Sequence, residues 1–439
     1  MKILVIGSGG REHALAWRLR HGGGAERVWC APGNGGMARL DGAECVAADA
    51  KDVAALVALG ERLRPDVTLV GPELPLVNGV ADEFAARGLR LVGPSKQAAR
   101  LEGSKAFAKE FVLRHQIPTG PLYGIFDSAG DAYSALCSVD WPCVIKADGL
   151  AAGKGVLVAP TPDDATAFID RVMVDREFGA AGDRVLLEEA LTGQELSYIV
   201  LTDGETILPL VATRDHKRIF DGNRGPNTGG MGAYSADGLL DGELEDRIIK
   251  TIIRPTLEAM AREGHPYRGF LYAGLMLTAA GPQVLEFNCR MGDPETQAIM
   301  VRVDFPFAEA LHAAAEGRLR EIRARWKPGA SACVVMAAAG YPGEPHMGMK
   351  IEGLEAAERV GDAVVFHAGT KLEGGATVVS GGRVLGVTAT AADLAGAVNR
   401  AYEAAAKISF EGAQYRHDIG ATGMAPDGRG ATQSAGGRV

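Results

Sequence analysis

The chain has 439 residues, of which 47% are apolar and 23% charged, and its net charge is −9. That length divides into roughly three domains, and the composition is that of a globular protein with its own cores. The negative balance argues against a polyanion partner such as DNA or RNA, although a local basic pocket can still hold one small phosphate.

Residues 3–6 are apolar and predict a strand, which breaks into Gly7-Ser8-Gly9-Gly10 and a helix over 12–20. This leaves no secretory signal in the reading. The longest apolar stretch, 271–280, is about half the ~20 residues a membrane span needs. A second strand is expected at 28–31, a helix at 53–63, and strands at 67–70 and 89–92, the last two each ending in Gly-Pro. Strand–helix alternation with short loops implies a doubly wound parallel sheet, whose ligands bind at the carboxyl ends of the strands. Gly7-x-Gly9-x-x-Glu12 departs from the dinucleotide fingerprint at the third glycine. The second strand ends Ala31-Pro32-Gly33-Asn34, with no acid for a ribose. The turn therefore suits a phosphate other than a dinucleotide, a bare tight turn being the alternative.

Residues 105–115 predict a helix that opens on Lys105. A strand at 142–147 carries Lys146 into Asp148-Gly149-Leu150-Ala151-Ala152-Gly153-Lys154-Gly155. This is not a Walker A loop, because Gly155 stands where the hydroxyl belongs. A strand lysine beside a small glycine-rich lid can instead hold phosphate from two sides, with Lys105 as a second cation. The strand at 185–189 runs into a connector that can offer backbone groups to an adenine edge. Glu188, Glu189 and Glu195 lie nearby, although acids at strand ends are usually just solvated. Strands are also expected at 197–201 and 207–211. Residues 213–235 read as a long irregular loop dense in charge, amide and glycine, suited to gripping a small polar substrate.

A helix at 244–263 precedes strands at 272–278 and 283–288. Period two puts Glu286, Asn288 and Arg290 on one face and Leu285, Phe287 and Cys289 on the other. An acid and an amide oxygen suit Mg²⁺, and Arg290 could stabilise a transferring phosphoryl group. Residues 291–295 form a turn beside them. From about 327 the pattern shifts to short strands such as 332–338 and 384–388. The last residues, 420–439, lack large apolar groups and read as disordered. The six cysteines (Cys30, Cys45, Cys137, Cys143, Cys289, Cys333) contain no C-x-x-C pair. They read as reduced thiols of a cytoplasmic protein.

The stretches GSGGREHAL, APGNGG, GPELPL, LEGSKAFAK, VIKADGLAAGKGV, DHKRIFDGNRGPNTGGMGAY, LYAGLM, EFNCRMGDPETQ, FHAGT and YRHDIG span residues 7–420. Together they resemble the phosphoribosylamine–glycine ligase family of the ATP-grasp superfamily. The resemblance implies α/β and α+β domains: an N-terminal Rossmann-like domain (1–103), an ATP-grasp domain (104–325) with a lid subdomain (about 119–189), and a mixed α/β C-terminal domain (326–420). The tail, 421–439, lies outside the pattern. It implies ligation of glycine to 5-phosphoribosylamine with ATP and Mg²⁺, Mn²⁺ being the other ion to consider. The partners would be these small molecules, with no nucleic acid and no membrane, in a cytoplasmic monomer or weak homo-oligomer.

By the same resemblance, Lys105, Lys146, Gly149, Gly153, Lys154 and Gly155 would hold ATP phosphates. Glu188, Glu189, Leu191 and Glu195 would hold adenosine, and Glu286 and Asn288 the metal. Arg290, Asp215 and Lys146 would act in catalysis. Gly9 and Gly10 would take the 5-phosphate, Asp215 and Arg290 glycine, and Glu73, Asp293 and Glu295 the ribose. Arg214 and Met291 depart from the family pattern, which has Gln and Phe there. The alternative is another ATP-grasp carboxylate–amine ligase or carboxylase of purine metabolism, which should lack the DHKR…GPNTGGMGAY stretch.

Overall fold

The computed structural model describes residues 1–151 and 153–424. Its first sheet is parallel, with strand order Ala43–Cys45, Arg27–Pro32, Lys2–Gly7, Val67–Val70, Leu91–Val92. Ile3, Leu4, Val5 and Ile6 are all fully buried, because helices cover both faces of a parallel sheet. Leu4 and Ile6 join Leu56 and Phe84 on one side, while Ile3 and Val5 join Leu15, Leu19 and Phe307 on the other. The chain leaves the opening strand in both directions along the sheet. Its carboxyl end, at Gly7, is therefore a topological switch point with an open crevice.

A four-stranded antiparallel sheet follows in the order Leu122–Phe126, Val185–Glu189, Cys143–Ala147, Val156–Ala159. A second antiparallel sheet holds Ile207–Pro209, Gln194–Thr202, Gly269–Thr278 and Gly281–Asn288. The isolated pairing of Thr119 with Val284 joins the approach to the first of these sheets to the second. The expected helix at 244–263 spans Gly242–Ile248, a π-turn at Ile249–Ile253 and Arg254–Arg262. Pro255 lacks the N–H that a regular α-turn would require there, which accounts for the wider turn.

The expectation of an irregular loop over 213–235 is corrected. Arg218–Phe220 and Arg224–Asn227 form a hairpin. Arg214–Asp215 and Gly232–Ala236 are strands of a third sheet, which continues through Ala330–Ala337, Arg383–Ala391 and Ala363–His367. That sheet crosses the expected boundary at 325/326. The strand pairing Gly232 with Val334 supplies backbone hydrogen bonds that no local pattern announces. At the far end Ala421–Gly423 forms a single 3-10 turn, so order continues past the expected start of the tail. The rest of the disorder expectation, on 425–439, lies outside the described residues.

Candidate active site between three sheets

The opening turn is built differently from a dinucleotide-binding turn. Glu12 is buried and its Oε2 accepts the Gly9 N–H at 2.5 Å, as the third helical residue of a capping box. Its Oε1 meets Arg11 Nε at 2.6 Å. A Cβ on Gly7 would sit 2.5 Å from Glu12 Cγ, and one on Gly71 would sit 1.9 Å from Glu12 Oε1. The glycines thus make room for Glu12, which fills the space beneath the turn. The Gly9 N–H is thus engaged by Glu12. At Gly10 a Cβ would sit 2.5 Å from Gln297 Nε2. Gln297 in turn donates to Asp293 Oδ1 at 2.7 Å, and the Arg11 N–H reaches Asp293 Oδ2 at 3.4 Å. The helix start therefore packs against the 292–295 turn.

A lysine cluster joins the glycine-rich loop to the second antiparallel sheet. Lys146 Nζ donates to Leu285 O at 2.9 Å and to Glu188 Oε2 at 3.1 Å. Lys109, one helical turn after Lys105, donates to the same oxygen at 3.1 Å and to Gly120 O at 2.6 Å. Glu188 is consequently turned inward as a shared counter-ion, not outward to a ribose, whereas Glu189 is exposed. Leu285 is free to accept because the pairing slips by one residue there, between Gly274 and Leu275. Lys105 Nζ donates to Gly149 O at 2.8 Å. Asp148 Oδ1 accepts from Ser104 Oγ and the Ala106 N–H, and its Oδ2 pairs with Arg184 at 2.6 Å. The loop is thus tied at its base to the helix Lys105–Arg114. At its tip, Gly153 passes so close to the 227–229 segment that a Cβ would lie 3.1 Å from Thr228 O. Lys154 is exposed away from this cluster, and Leu191 packs on Gly120.

Arg290 forms the next cluster. Its guanidinium meets Glu102 Oε1 at 2.8 Å, Glu73 Oε2 at 3.3 Å, Asn288 Oδ1 at 3.3 Å and Met291 O at 3.2 Å. Burial would raise the Glu73 carboxyl, but Arg290 and Arg11 hold it below its ordinary range. Glu102, also bonded by the Cys289 N–H at 2.7 Å, is pushed up by burial. Glu286, on the same strand face, is held ionised: burial opposes this, but Lys217, Lys105, Lys146 and Arg290 outweigh it.

Asp215, Glu195, Glu295 and Lys217 complete the crevice. Lys217 Nζ pairs with Glu195 Oε2 at 3.0 Å, and Glu195 and Asp215 raise its pKa. Burial lifts the Asp215 carboxyl to about 7, Lys217 pulling against it and Glu295, Glu195 and Glu286 adding to it. Glu295 accepts from Tyr272 Oη at 2.7 Å and Ser197 Oγ at 3.3 Å. Arg214 on the neighbouring position donates to Gln194 at 2.5 Å. Arg383 reaches over from the third sheet to Gly229 O and Asp293 O, both at 2.6 Å, and to Asp293 Oδ2 at 3.3 Å.

The structure therefore brings most of the expected residues into one crevice. Glu12, Glu102, Lys109, Lys217, Tyr272 and Arg383 are additions. Glu12, Glu102, Lys109, Lys217 and Tyr272 lie inside the quoted stretches, whereas Arg383 lies outside them all.

Family models for the phosphoribosylglycinamide synthetase N domain, ATP-grasp (A) domain and C domain match residues 1–102, 103–296 and 331–422. A phosphoribosylamine–glycine ligase from Allochromatium vinosum is 50% identical over 421 residues, covering 96% of this chain and 98% of the relative. One from Escherichia coli O6:H1 is 50% identical over 422 residues, with the same coverage. The solved phosphoribosylamine–glycine ligase of Thermotoga maritima superposes with a TM-score of 0.82 at 32% identity, covering 95% of this chain and all of that one. A biotin carboxylase from Campylobacter jejuni superposes at 0.71 with 17% identity, covering 94% and 92%, a likeness of fold alone.

Proposed function

The chain belongs to the phosphoribosylamine–glycine ligase family of ATP-grasp carbon–nitrogen ligases, and from that premise we propose that its crevice joins glycine to 5-phosphoribosylamine, giving glycinamide ribonucleotide, ADP and phosphate. A carboxylate is a poor electrophile. A glycine carboxylate oxygen first takes the γ-phosphoryl group of ATP, and ADP leaves. The sugar amine then attacks the carbonyl carbon of glycyl phosphate, loses a proton and expels phosphate. No enzyme nucleophile is needed, so the protein's work is positioning and electrostatics.

The observation that carries this reading is the convergence of Lys105, Lys146, Glu286, Asn288 and Arg290 on one crevice beneath the glycine-rich loop. Lys105 and Lys146, with loop residues Gly149, Gly153 and Gly155, hold the ATP phosphates. Lys154 stays an outer contact for them. Glu189, Leu191 and Glu195 flank the adenosine, and Glu188 serves it indirectly by fixing Lys146. Glu286 and the Asn288 amide oxygen are two hard oxygen donors, one of them held anionic, and they fit Mg²⁺, or Mn²⁺ in its place, sharing its shell with phosphates. Bound there, the ion would neutralise charge on the transferring phosphoryl group. Arg290, clamped by Glu73 and Glu102, places its positive charge beside the acyl phosphate. Asp215 faces glycine's ammonium. Asp293 and Glu295 border the ribose, and Gly10 forms the wall behind it.

The reading also carries small-molecule partners only, a monomer or weak homo-oligomer, and a cytoplasmic setting. Among the described residues no helix is long and apolar enough to cross a membrane. The test is ADP release with Mg-ATP, omitting one substrate at a time, with phosphoribosylamine generated from ribose 5-phosphate and ammonia. ADP that requires both glycine and the amine, with a product of the mass of glycinamide ribonucleotide, is expected. ADP formed with a different acid or amine would keep the phosphoryl transfer and overturn the substrates.

A further inference from the structure

With the Gly9 N–H engaged by Glu12, the first turn offers the sugar's phosphate fewer donors than its glycines suggest. A cavity of about 640 Å³ opens beside the first turn, between it and the third sheet. Its walls include Ser8, Asn34, Asp293, Lys371, Ser380 and Arg383. The two cations there differ in availability. Arg383 is spent on the carbonyls of Gly229, Gly230 and Asp293 and on the Asp293 carboxylate. Asp293 is in turn held ionised and matched, so it adds no free anion. Among the described residues Lys371 pairs only with Glu373, at 3.4 Å, with both side chains more than half exposed. Such a pair is weak and readily exchanged.

The backbone around Lys371 is fixed from both domains. The Gly35 N–H donates to Thr370 O at 3.1 Å, and Asn34 Nδ2 donates to Ser8 O at 2.9 Å and His367 O at 2.7 Å. Gly369 and Gly381 cross so closely that a Cβ on Gly369 would lie 2.6 Å from Gly381 Cα. This crossing brings Ser380 beside Lys371 at the cavity wall. Neither Ser8 nor Ser380 uses its hydroxyl in a hydrogen bond among the described residues. One exchangeable ammonium and two uncommitted hydroxyls, on rigid backbone from two domains, are a donor set for a phosphate monoester.

We propose that Lys371, with Ser380 and Ser8, forms the binding site for the 5-phosphate of the sugar amine, so that the C-terminal domain reads the phosphorylated end of the substrate. This rests on the reading that phosphoribosylamine is the amine. It assigns Lys371 to binding that substrate, with no part in phosphoryl transfer.

The test is steady-state kinetics of Lys371→Ala and Lys371→Arg, together with calorimetric titration of the nucleotide-free wild type and variants with ribose 5-phosphate and, separately, inorganic phosphate. Lys371→Ala should raise KM for phosphoribosylamine about tenfold or more, the size of a lost hydrogen bond to a charged group. KM for ATP and for glycine should stay within a factor of two, and Lys371→Arg should recover most of the loss. Ribose 5-phosphate should bind wild type and not Lys371→Ala, and more tightly than inorganic phosphate. An unchanged amine KM in an active Lys371→Ala enzyme overturns the site. A matching rise in ATP KM would assign Lys371 to the nucleotide and overturn it too. A wild type without glycine- and amine-dependent turnover would instead sink the functional reading.

Discussion

Glu188 balances two lysines at once, and removing its charge has a calculable consequence. Lys109 and Lys146 both donate to Oε2 at 3.1 Å, and all three side chains are less than a tenth exposed. Glu188→Gln keeps the shape and leaves two ammonium groups facing each other without an anion. Breaking a buried ion pair costs about 3–5 kcal/mol. Here Lys109 keeps Gly120 O and Thr119 Oγ1, and Lys146 keeps Leu285 O. Burial already depresses Lys109, so it can shed its proton in relief. These points favour the low end, about 3 kcal/mol. Guanidinium unfolding followed by tryptophan fluorescence measures it. Adding Lys109→Met should return part of the loss, with a coupling of about 1–3 kcal/mol, because the repulsion disappears with the second charge. Because Lys146 is also a phosphate ligand in the proposed site, KM for ATP should rise in Glu188→Gln. A Glu188→Gln protein within about 0.5 kcal/mol of wild type, or a double variant no better than the single one, refutes the shared-anion account.

Asp215, with its carboxyl raised to about 7 in the folded chain, binds a proton more tightly folded than unfolded. Its contribution is therefore complete below about pH 4 and is lost as pH rises through 7. Substrate-free wild type should lose stability relative to Asp215→Asn between pH 4 and 7, and glycine binding at pH 7 should release a proton into a weakly buffered solution. Glu286→Gln should raise the Mg²⁺ concentration for half-maximal ADP release at least tenfold, and an unchanged metal titration would remove Glu286 from the metal site. Glu12→Gly, which restores the third glycine of a dinucleotide turn, should lose about 1.5–3 kcal/mol through the lost cap and the added helix glycine, measured by the same unfolding. It should gain no affinity for NAD.

Much of this site could be read from the chain because strands translate sequence into faces directly. Glu286, Asn288 and Arg290 share a face as period two requires, and Asn288 does meet Arg290. The slip in pairing at Leu285 was invisible, since it depends on how Gly274 meets Glu286 on the neighbouring strand. The segment 213–235 misled for a related reason. Its strands are as short as two residues, and Gly232–Ala236 closes on Ala330–Ala337 about a hundred residues away, so the segment carries no pattern of its own. Glu188 misled because an acid at a strand end is commonly solvated. Only the fold shows Lys109 arriving from the helix four residues beyond Lys105. Glu12 misled most. It was read as a missing glycine, whereas Gly7 and Gly71 are shaped around its carboxylate.

Two kinds of cation divide the labour of the crevice. The lysines sit where contacts must exchange. Lys105 holds Gly149 O, and Lys146 holds Leu285 O beside its pairing with Glu188, through ammonium contacts that a phosphate can replace. The arginines sit where geometry must persist. Arg290 is held by Glu73, Glu102 and Asn288, and Arg383 by three backbone carbonyls and Asp293. A forked guanidinium satisfied on several sides resists reorientation, whereas an ammonium on a flexible stem does not. Arg383 fixes the Gly229-Gly230 bend against the 292–295 turn, and Gly153 at the tip of the glycine-rich loop approaches Thr228 just before that bend. The third sheet therefore sets the surface on which the loop tip rests, although none of its strands carries the lysine cluster. That connection explains why Arg214–Asp215 and Gly232–Ala236 are strands of the C-terminal sheet and border the proposed glycine site as well.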